Sequence, residues 1–280
     1  MNRFILPAIA ACLIASCGGN KENPEARGLC QQAAEAFQSG DYTRATILLD
    51  SLQKNYPSEM AIQREAMALR PKVIEQLAQA KIVSVDSMTR ADQAAMEQLK
   101  PKLKWVKTPG MIEGYWTDAK AYNPNFMNTT GIEARVSEIG QFYIVSSANP
   151  SSLRHTSVTL TMGDRSAATP SVPYDGESNY RIGGGEVITF SPEQSDTIGA
   201  LATQALTSGT SKNISLTFNG AKGKKTVRLT PAQAIGIANA YRYSQAVIRA
   251  RDNQVERQRL ERTIEIARRQ AAQAEARVTE

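Results

Sequence analysis

The hydrophobic pattern of this chain changes its period near Pro101, and that change limits the possible folds more than any other feature. Apolar residues recur at helical spacing over residues 29–100 and alternate with polar residues over 101–229. Helical spacing then returns over 230–280. The pattern predicts an α+β fold, with N-terminal helices, a central antiparallel β region and a long C-terminal helix.

Two helices followed by a longer one are expected at the N-terminal end. The spacing predicts helices over Glu25–Ser39 and Tyr42–Asn55, with Asp41 as the cap of the second. A third helical stretch continues to about Lys100. Pro71 lies inside this stretch, and it is expected to break, kink or restart the helix because proline cannot donate a backbone hydrogen bond.

The first two helices resemble one tetratricopeptide unit. Small, aromatic and proline residues fall near the positions that this motif prescribes: Ala33, Gly40, Tyr42, Ala45, Leu49, Leu52 and Pro57. Only one convincing copy is present, whereas a stable solenoid needs about three. The alternative is an ordinary helical hairpin, and both interpretations predict a helical packing surface.

The central region alternates strictly. Ile132, Ala134 and Val136 share one face of a predicted strand, with polar residues between them. Such alternation is typical of half-buried strands, so it favours an antiparallel sandwich or open barrel. Asn219–Gly220 is expected to begin a hairpin loop, and a helix over Pro192–Leu206 is expected to interrupt the strands.

The last helix is predicted to start at Thr230–Pro231, where a capping residue precedes proline. Its C-terminal part is rich in charge, but five residues keep the four-three spacing of a coiled-coil seam: Leu260, Ile264, Ala267, Ala271 and Ala274. Alanine buries little area, so a single solvated helix is the alternative to a coiled coil.

The N-terminus has the organisation of a lipoprotein leader. A short basic start precedes the uncharged stretch Phe4–Ala15, which is too short to span a membrane because spanning takes about 20 residues. Leu13–Cys17 has the form of a lipobox, in which a small residue precedes the cysteine that is acylated. We therefore predict a signal peptide over 1–16, a palmitate-bearing lipid attachment at Cys17 and a flexible tether over 17–28.

Charge and cysteine usage narrow the possible partners. The net charge is +6, but Lys and Arg are interleaved with acidic residues rather than clustered, so a nucleic-acid partner is not predicted. Cys12 leaves with the leader and Cys17 carries lipid, which leaves Cys30 unpaired. We predict that Cys30 is a small buried apolar group and that no disulfide forms.

Catalytic and metal-binding patterns are missing from the sequence. His155 is the single histidine, and the chain has neither zinc-ligand spacing nor a Gly-x-Ser-x-Gly elbow. Ser151 and Ser152 lie near His155 in sequence, but a triad is recognised by its geometry. We predict no catalytic residue, metal or cofactor, and a structural or surface role for His155.

An aromatic-rich stretch offers the main candidate for ligand contact. Tyr115 and Trp116 lie at its centre, between Trp105 on one side and Tyr122 and Phe126 on the other. Aromatic rings can stack on sugars, although most such residues belong to a hydrophobic core. Tyr115 and Trp116 are therefore the candidate ligand-binding residues, with a glycan as the candidate ligand.

Several segments resemble a family of lipoproteins from gut Bacteroidetes. The resemblance is carried by Glu113–Trp116, Gly131–Arg135, His155–Leu160, Val172–Tyr174, Asn179–Arg181, Phe218–Gly223 and Ala240–Ser244. With the lipobox and the helical hairpin, it extends over nearly the whole chain. It implies a lipid-anchored, helix-flanked β domain, and it brings no activity and no catalytic residue.

These observations lead to three hypotheses of function. The first is a non-catalytic lipoprotein of the cell envelope, anchored to the outer membrane through Cys17 and meeting a protein partner through its helical surfaces. The alternative is a lipoprotein that binds glycan or peptidoglycan. A hydrolase that uses paired carboxylates is the third, because the spacing of such pairs is set by the fold.

Overall fold

The computed structural model describes residues 22–209 and 213–279, which form helices and two antiparallel sheets. The predicted α+β class is confirmed, with helices at both ends, strands between them and one helix among the strands. The strands form two sheets rather than a closed barrel. The predicted signal peptide, the lipid site at Cys17 and the first part of the tether lie outside the described residues.

The described residues contain five α-helices and ten β-strands. The helices are α1 Pro24–Gln38, α2 Tyr42–Asn55, α3 Met60–Leu99, α4 Pro192–Thr207 and α5 Pro231–Thr279. The strands are β1 Leu103–Val106, β2 Tyr115–Asp118, β3 Gly131–Ser137, β4 Phe142–Ala148, β5 His155–Met162, β6 Arg165–Ala168, β7 Asn179–Ile182, β8 Gly185–Phe190, β9 Ile214–Gly220 and β10 Gly223–Arg228. Short 3₁₀ turns cover Lys100–Lys102 and Phe126–Asn128.

The chain divides into two compact units. One consists of the described residues up to Lys81 together with those from Leu260 onwards, and the other consists of residues 82–259. Helices α3 and α5 contribute residues to both units. We call them the helical unit and the β unit.

In the helical unit, α1 and α2 form the predicted hairpin. The side chain of Asn23 caps α1 and that of Asp41 caps α2, so each helix starts where its first backbone N–H groups find an acceptor. Helix α1 begins at Pro24, so the prediction that the tether extends to residue 28 is wrong for 24–28. Cys30 is a buried free thiol in the core of this unit, as predicted, and burial raises its pKa.

Helix α3 is assigned as one continuous helix through Pro71, so a break or restart at this residue is not observed. Proline inside a helix costs about 3 kcal/mol, because it removes one hydrogen bond and crowds the preceding turn. Ala66 and Val73, on either side of it, are buried in the core of the helical unit. The packing of these two residues offsets the cost of the proline. The sequence pattern around Pro71 could not show this packing, because it involves other helices.

The β unit contains a six-stranded sheet of order β1-β2-β3-β4-β8-β7 and a four-stranded sheet of order β10-β9-β5-β6. One hydrophobic core takes residues from both sheets, from α4 and from the first turns of α5. Ile132, Ala134 and Val136 face this core, as predicted. The prediction of half-buried strands is wrong for β3, because Glu133 on the opposite face is also buried.

The last hairpin turns later than predicted. Asn219 and Gly220 belong to β9, and Gly220 pairs with Gly223, so the turn is made by the two residues between them. A Cβ atom on Gly220 would lie 2.4 Å from the carbonyl oxygen of Leu153. The glycine therefore permits a close approach of two backbone segments rather than the start of a turn.

Candidate functional site

The structure separates the two predicted ligand-binding residues. Trp116 faces the main core and packs against Trp105, with ring centroids 5.1 Å apart. Tyr115 is its neighbour on the same strand and therefore points to the opposite face, where the guanidinium of Arg135 lies 4.0 Å from its ring centroid. The two candidate ligand-binding residues therefore lie on opposite faces of β2 and do not share one surface.

Residues of the predicted coiled-coil seam of α5 are buried within the helical unit. Leu260 and Ala267 are buried. Arg268 forms an ion pair of 2.8 Å with Glu75 of α3, and Lys72 of α3 forms one of 2.9 Å with Glu275. Helix α3 thus runs beside this part of α5. A protein partner could reach Leu260 only by displacing contacts that the chain makes with itself.

A buried polar network centred on His155 joins the two sheets of the β unit. The Oγ atom of Ser146 on β4 lies 3.0 Å from Nε2 of His155 on β5. On the other side of the ring, Nδ1 lies 2.9 Å from Oε2 of Glu186 on β8. Glu186 also accepts backbone N–H bonds from Arg154 at 2.7 Å and from His155 at 2.9 Å.

The environment sets the protonation states of this network. Burial lowers the pKa of His155 below its ordinary value of 6.5. Burial pushes the pKa of Glu186 upwards, but the hydrogen bonds from His155 and Arg154 outweigh it and hold that pKa below 4.5. A charged Glu186 can only accept, so Nδ1 carries the imidazole proton and Nε2 accepts from the hydroxyl of Ser146.

This arrangement has the connectivity of a serine–histidine–carboxylate triad, but it is closed to solvent. The exposed fractions of Ser146, His155 and Glu186 are 0%, 1% and 2%. Catalysis would require a substrate carbonyl within contact distance of the serine oxygen, and burial prevents that. His155 is therefore structural, which was one of the two predicted roles, and the surface alternative is wrong. The nearby Ser151 is not part of the network; its hydroxyl accepts a bond from the backbone of Leu153.

We expect the stability of the β unit to fall as the pH drops from 7.5 to 5.5. The unfolded chain binds a proton at His155 near pH 6.5, whereas the folded chain binds it only at lower pH, so protonation favours unfolding. The loss is at most about 1.4 kcal/mol per pH unit for one proton. Urea unfolding followed by tryptophan fluorescence measures it, since both tryptophans of the chain, Trp105 and Trp116, lie in this unit.

The variant His155→Gln provides the control for this titration. His155 is the only histidine of the chain, so its replacement should remove most of the pH dependence between pH 7.5 and 5.5. Wild-type stability that stays constant or rises as the pH falls through this range would contradict the assignment of a neutral, buried imidazole.

A groove of about 550 Å³ lies between the ends of β1 and β2 and the first turns of α5. We call it the Asp118 groove. Its apolar walls are formed by Pro101, Ala119, Ala232 and Ile235. This volume and a largely apolar lining are typical of sites for small ligands.

The polar groups of the Asp118 groove comprise a buried pair and two lysines. Asn239 donates a hydrogen bond of 2.8 Å to Oδ2 of Asp118, whose Oδ1 accepts from the backbone N–H groups of Lys120 and Ala121. Both Asp118 and Asn239 are buried, whereas Lys102 and Lys120 are exposed. No signal in the sequence marked these residues as a group, because the groove forms only when α5 packs beside β2.

Within residues 22–209 and 213–279, no group of three or more histidine, cysteine or acidic side chains is arranged to hold a metal ion. The helices of that part of the chain include none long and apolar enough to span a bilayer. Comparisons with protein-family models, with curated proteins and with solved structures find no match to this chain. The resemblance to Bacteroidetes lipoproteins therefore stays a prediction.

Proposed function

We propose that this chain is a lipid-anchored protein of the cell envelope that acts by binding and not by catalysis. Cys17 carries the lipid and holds the protein on the outer membrane, and the Asp118 groove receives a small ligand. The leader and lipobox support the anchor. This proposal keeps the glycan-binding alternative but moves the site away from Trp116, whose ring faces the main core.

The observation that carries the proposal is the contrast between two polar sites of the β unit. The network of Ser146, His155 and Glu186 has catalytic connectivity without access to solvent. The Asp118 groove has access, apolar walls and a few fixed polar groups, which is the usual composition of a ligand site. Binding at the groove is therefore the function that this geometry supports best.

A thermal-unfolding screen of small envelope metabolites tests the binding site. A ligand at ten times its Kd stabilises the folded state by about 1.4 kcal/mol, which corresponds to roughly 3–5 °C in Tm for a unit of this size. The variant Ala232→Trp places a large ring in the groove and should abolish the shift. Lys224→Trp, on the exposed strand β10, is the matched control and should keep it.

Two results would contradict the binding site. A ligand that raises the Tm of wild type and of Ala232→Trp equally would bind elsewhere. A screen in which no compound stabilises the wild type would leave the groove without a function. Either result would leave the lipid anchor as a separate claim, since the anchor depends on Cys17 alone.

A protein partner at the helical surfaces is the second candidate function. In the helical unit, Met67 and Pro71 of α3 line a shallow groove of about 270 Å³ together with Ala274 of α5. The side chain of Met67 is 62% exposed at this groove. This exposed methionine beside a groove favours docking of a partner there rather than at the buried seam residue Leu260.

A further inference from the structure

The charges at the rim of the Asp118 groove point to the chemistry of its ligand. Lys102 and Lys120 are both exposed, and neither forms an ion pair with a carboxylate among the described residues. A backbone hydrogen bond of 2.9 Å from Ala119 to the carbonyl of Lys102 holds the two lysine-bearing segments together. Both lysines line the groove, and two positive charges at the rim of one groove favour an anionic group there.

The floor of the groove favours hydroxyl groups. The carboxylate of Asp118 already accepts three hydrogen bonds, which fix its position. It would repel a second negative charge placed deep in the groove. The amide nitrogen of Asn239 faces Asp118, so its carbonyl oxygen is directed away, and that oxygen accepts no hydrogen bond from the described residues. An oxygen acceptor in this position is suited to a hydroxyl donor.

The apolar walls of the groove favour a ligand with C–H surface. Ile235 is 44% exposed on one wall and Pro101 is exposed on the other, so a ligand ring can place its C–H faces against them. A volume of about 550 Å³ accommodates one or two sugar-sized rings. The ligand thus needs a negative end, several hydroxyl groups and apolar C–H surface.

We propose that the Asp118 groove binds a hydroxylated carboxylate of sugar-acid size, with the carboxylate between Lys102 and Lys120 and a hydroxyl on Asn239. The inference rests on the proposed ligand-binding function and names the class of ligand. A carboxylate with neighbouring hydroxyl groups occurs both in a free sugar acid and in the terminal acidic residue of a glycan. Free glucuronate and a disaccharide that ends in glucuronate distinguish these two sources.

Isothermal titration of the purified mature chain tests this class of ligand. The probes are glucuronate, galacturonate and gluconate, with glucose lacking the charge and propionate lacking the hydroxyls. We expect at least one acid to bind, and both reference compounds to bind about tenfold more weakly or worse. A disaccharide that ends in glucuronate distinguishes the sources, because tighter binding than free glucuronate indicates a glycan end and equal or weaker binding indicates the free acid.

Charge reversal locates the carboxylate. The double variant Lys102→Glu/Lys120→Glu should weaken binding of the acid by about tenfold or more, whereas Lys107→Glu/Lys224→Glu changes the net charge equally at two exposed lysines outside the groove and should have little effect. Tryptophan fluorescence verifies that both variants fold.

The outcomes separate this inference from the proposed function. The inference is overturned if none of the three acids binds at about 10 mM, a concentration at which a site with a millimolar Kd is mostly occupied. It is also overturned if glucose or propionate binds as tightly as an acid, or if both double variants behave alike. In each case, a different compound whose stabilisation is lost in Ala232→Trp would still support ligand binding at the groove.

Discussion

The variant Glu186→Ala should lower the free energy of unfolding of the β unit by about 3–5 kcal/mol. The substitution leaves the ring N–H of His155 and the backbone N–H groups of Arg154 and His155 without their acceptor, in an environment that water does not reach. Domains of this size have total stabilities of about 5–15 kcal/mol, so the loss removes a large part of what holds the unit together.

Urea unfolding followed by tryptophan fluorescence measures the effect of Glu186→Ala. Glu177→Ala is the matched control, because Glu177 lies exposed in the segment before β7 and its replacement should change stability by no more than about 0.5 kcal/mol. If Glu186→Ala and Glu177→Ala had the same stability, the network would not be the link between the two sheets that the structure indicates.

The variant Cys17→Ala should lose both its acyl label and its attachment to membranes. The proposed anchor places the lipid chains on the sulfur and on the new N-terminus of this one residue, and stable membrane attachment needs at least two such chains. Growth with a labelled fatty acid, followed by membrane fractionation, measures both properties. We expect all of the label and nearly all of the protein to leave the membrane fraction.

Cys30 supplies the control for the anchor. Its thiol is buried in the helical unit, where burial raises its pKa and makes it a poor site of acylation. Cys30→Ala should therefore keep the full label. Label that persists in Cys17→Ala would show that the lipid is attached elsewhere, and the lipobox interpretation would then be wrong.

The helices could be predicted well because their ends carry local signals. Helix α2 has the predicted bounds, since Asp41 caps its start and the residue before Pro57 is driven out of helical geometry. Helix α4 begins at Pro192 as predicted, where Ser191 and Gln194 form a capping box. These interactions depend on neighbours in sequence, so tertiary structure does not alter them.

Short strands were not recognised. Strands β2, β6 and β7 contain four residues each and carry no strict alternation over that length. What holds them is pairing with longer neighbours, such as that of Tyr180 on β7 with Val187 on β8. Such pairing depends on the partner strand as well as on the short segment itself, so alternation within four residues carries little of it.

The network around His155 was hidden by an irregularity in strand β5. The core-facing residues of β5 are Val158, Leu160 and Met162. Regular alternation from these positions would place His155 on the opposite face of the strand, away from the core. An irregularity in the pairing between His155 and Ser157 shifts the register and turns the ring inward. Glu186 did carry a signal, because it falls in phase with the buried Ile188 and Phe190, and a charge on a core face implies a buried partner.

The Asp118 groove could not have been predicted at all. Asp118 ends a short strand, and Asn239 lies more than a hundred positions later on the last helix. Their hydrogen bond depends on Gly236, where a Cβ atom would lie 2.7 Å from Ala121 and hold the helix away. A glycine near the start of a long helix is only a weak propensity signal, although here it allows close packing of two elements.

A crystal structure of the mature chain, grown with the tightest ligand from the thermal-unfolding screen, tests the proposed binding site most directly. We predict that the ligand lies in the Asp118 groove, with its negative group between Lys102 and Lys120 and an oxygen within hydrogen-bond distance of Asn239. A ligand on another surface, such as the face of the six-stranded sheet that carries Tyr115, with the groove empty, would contradict the proposed site.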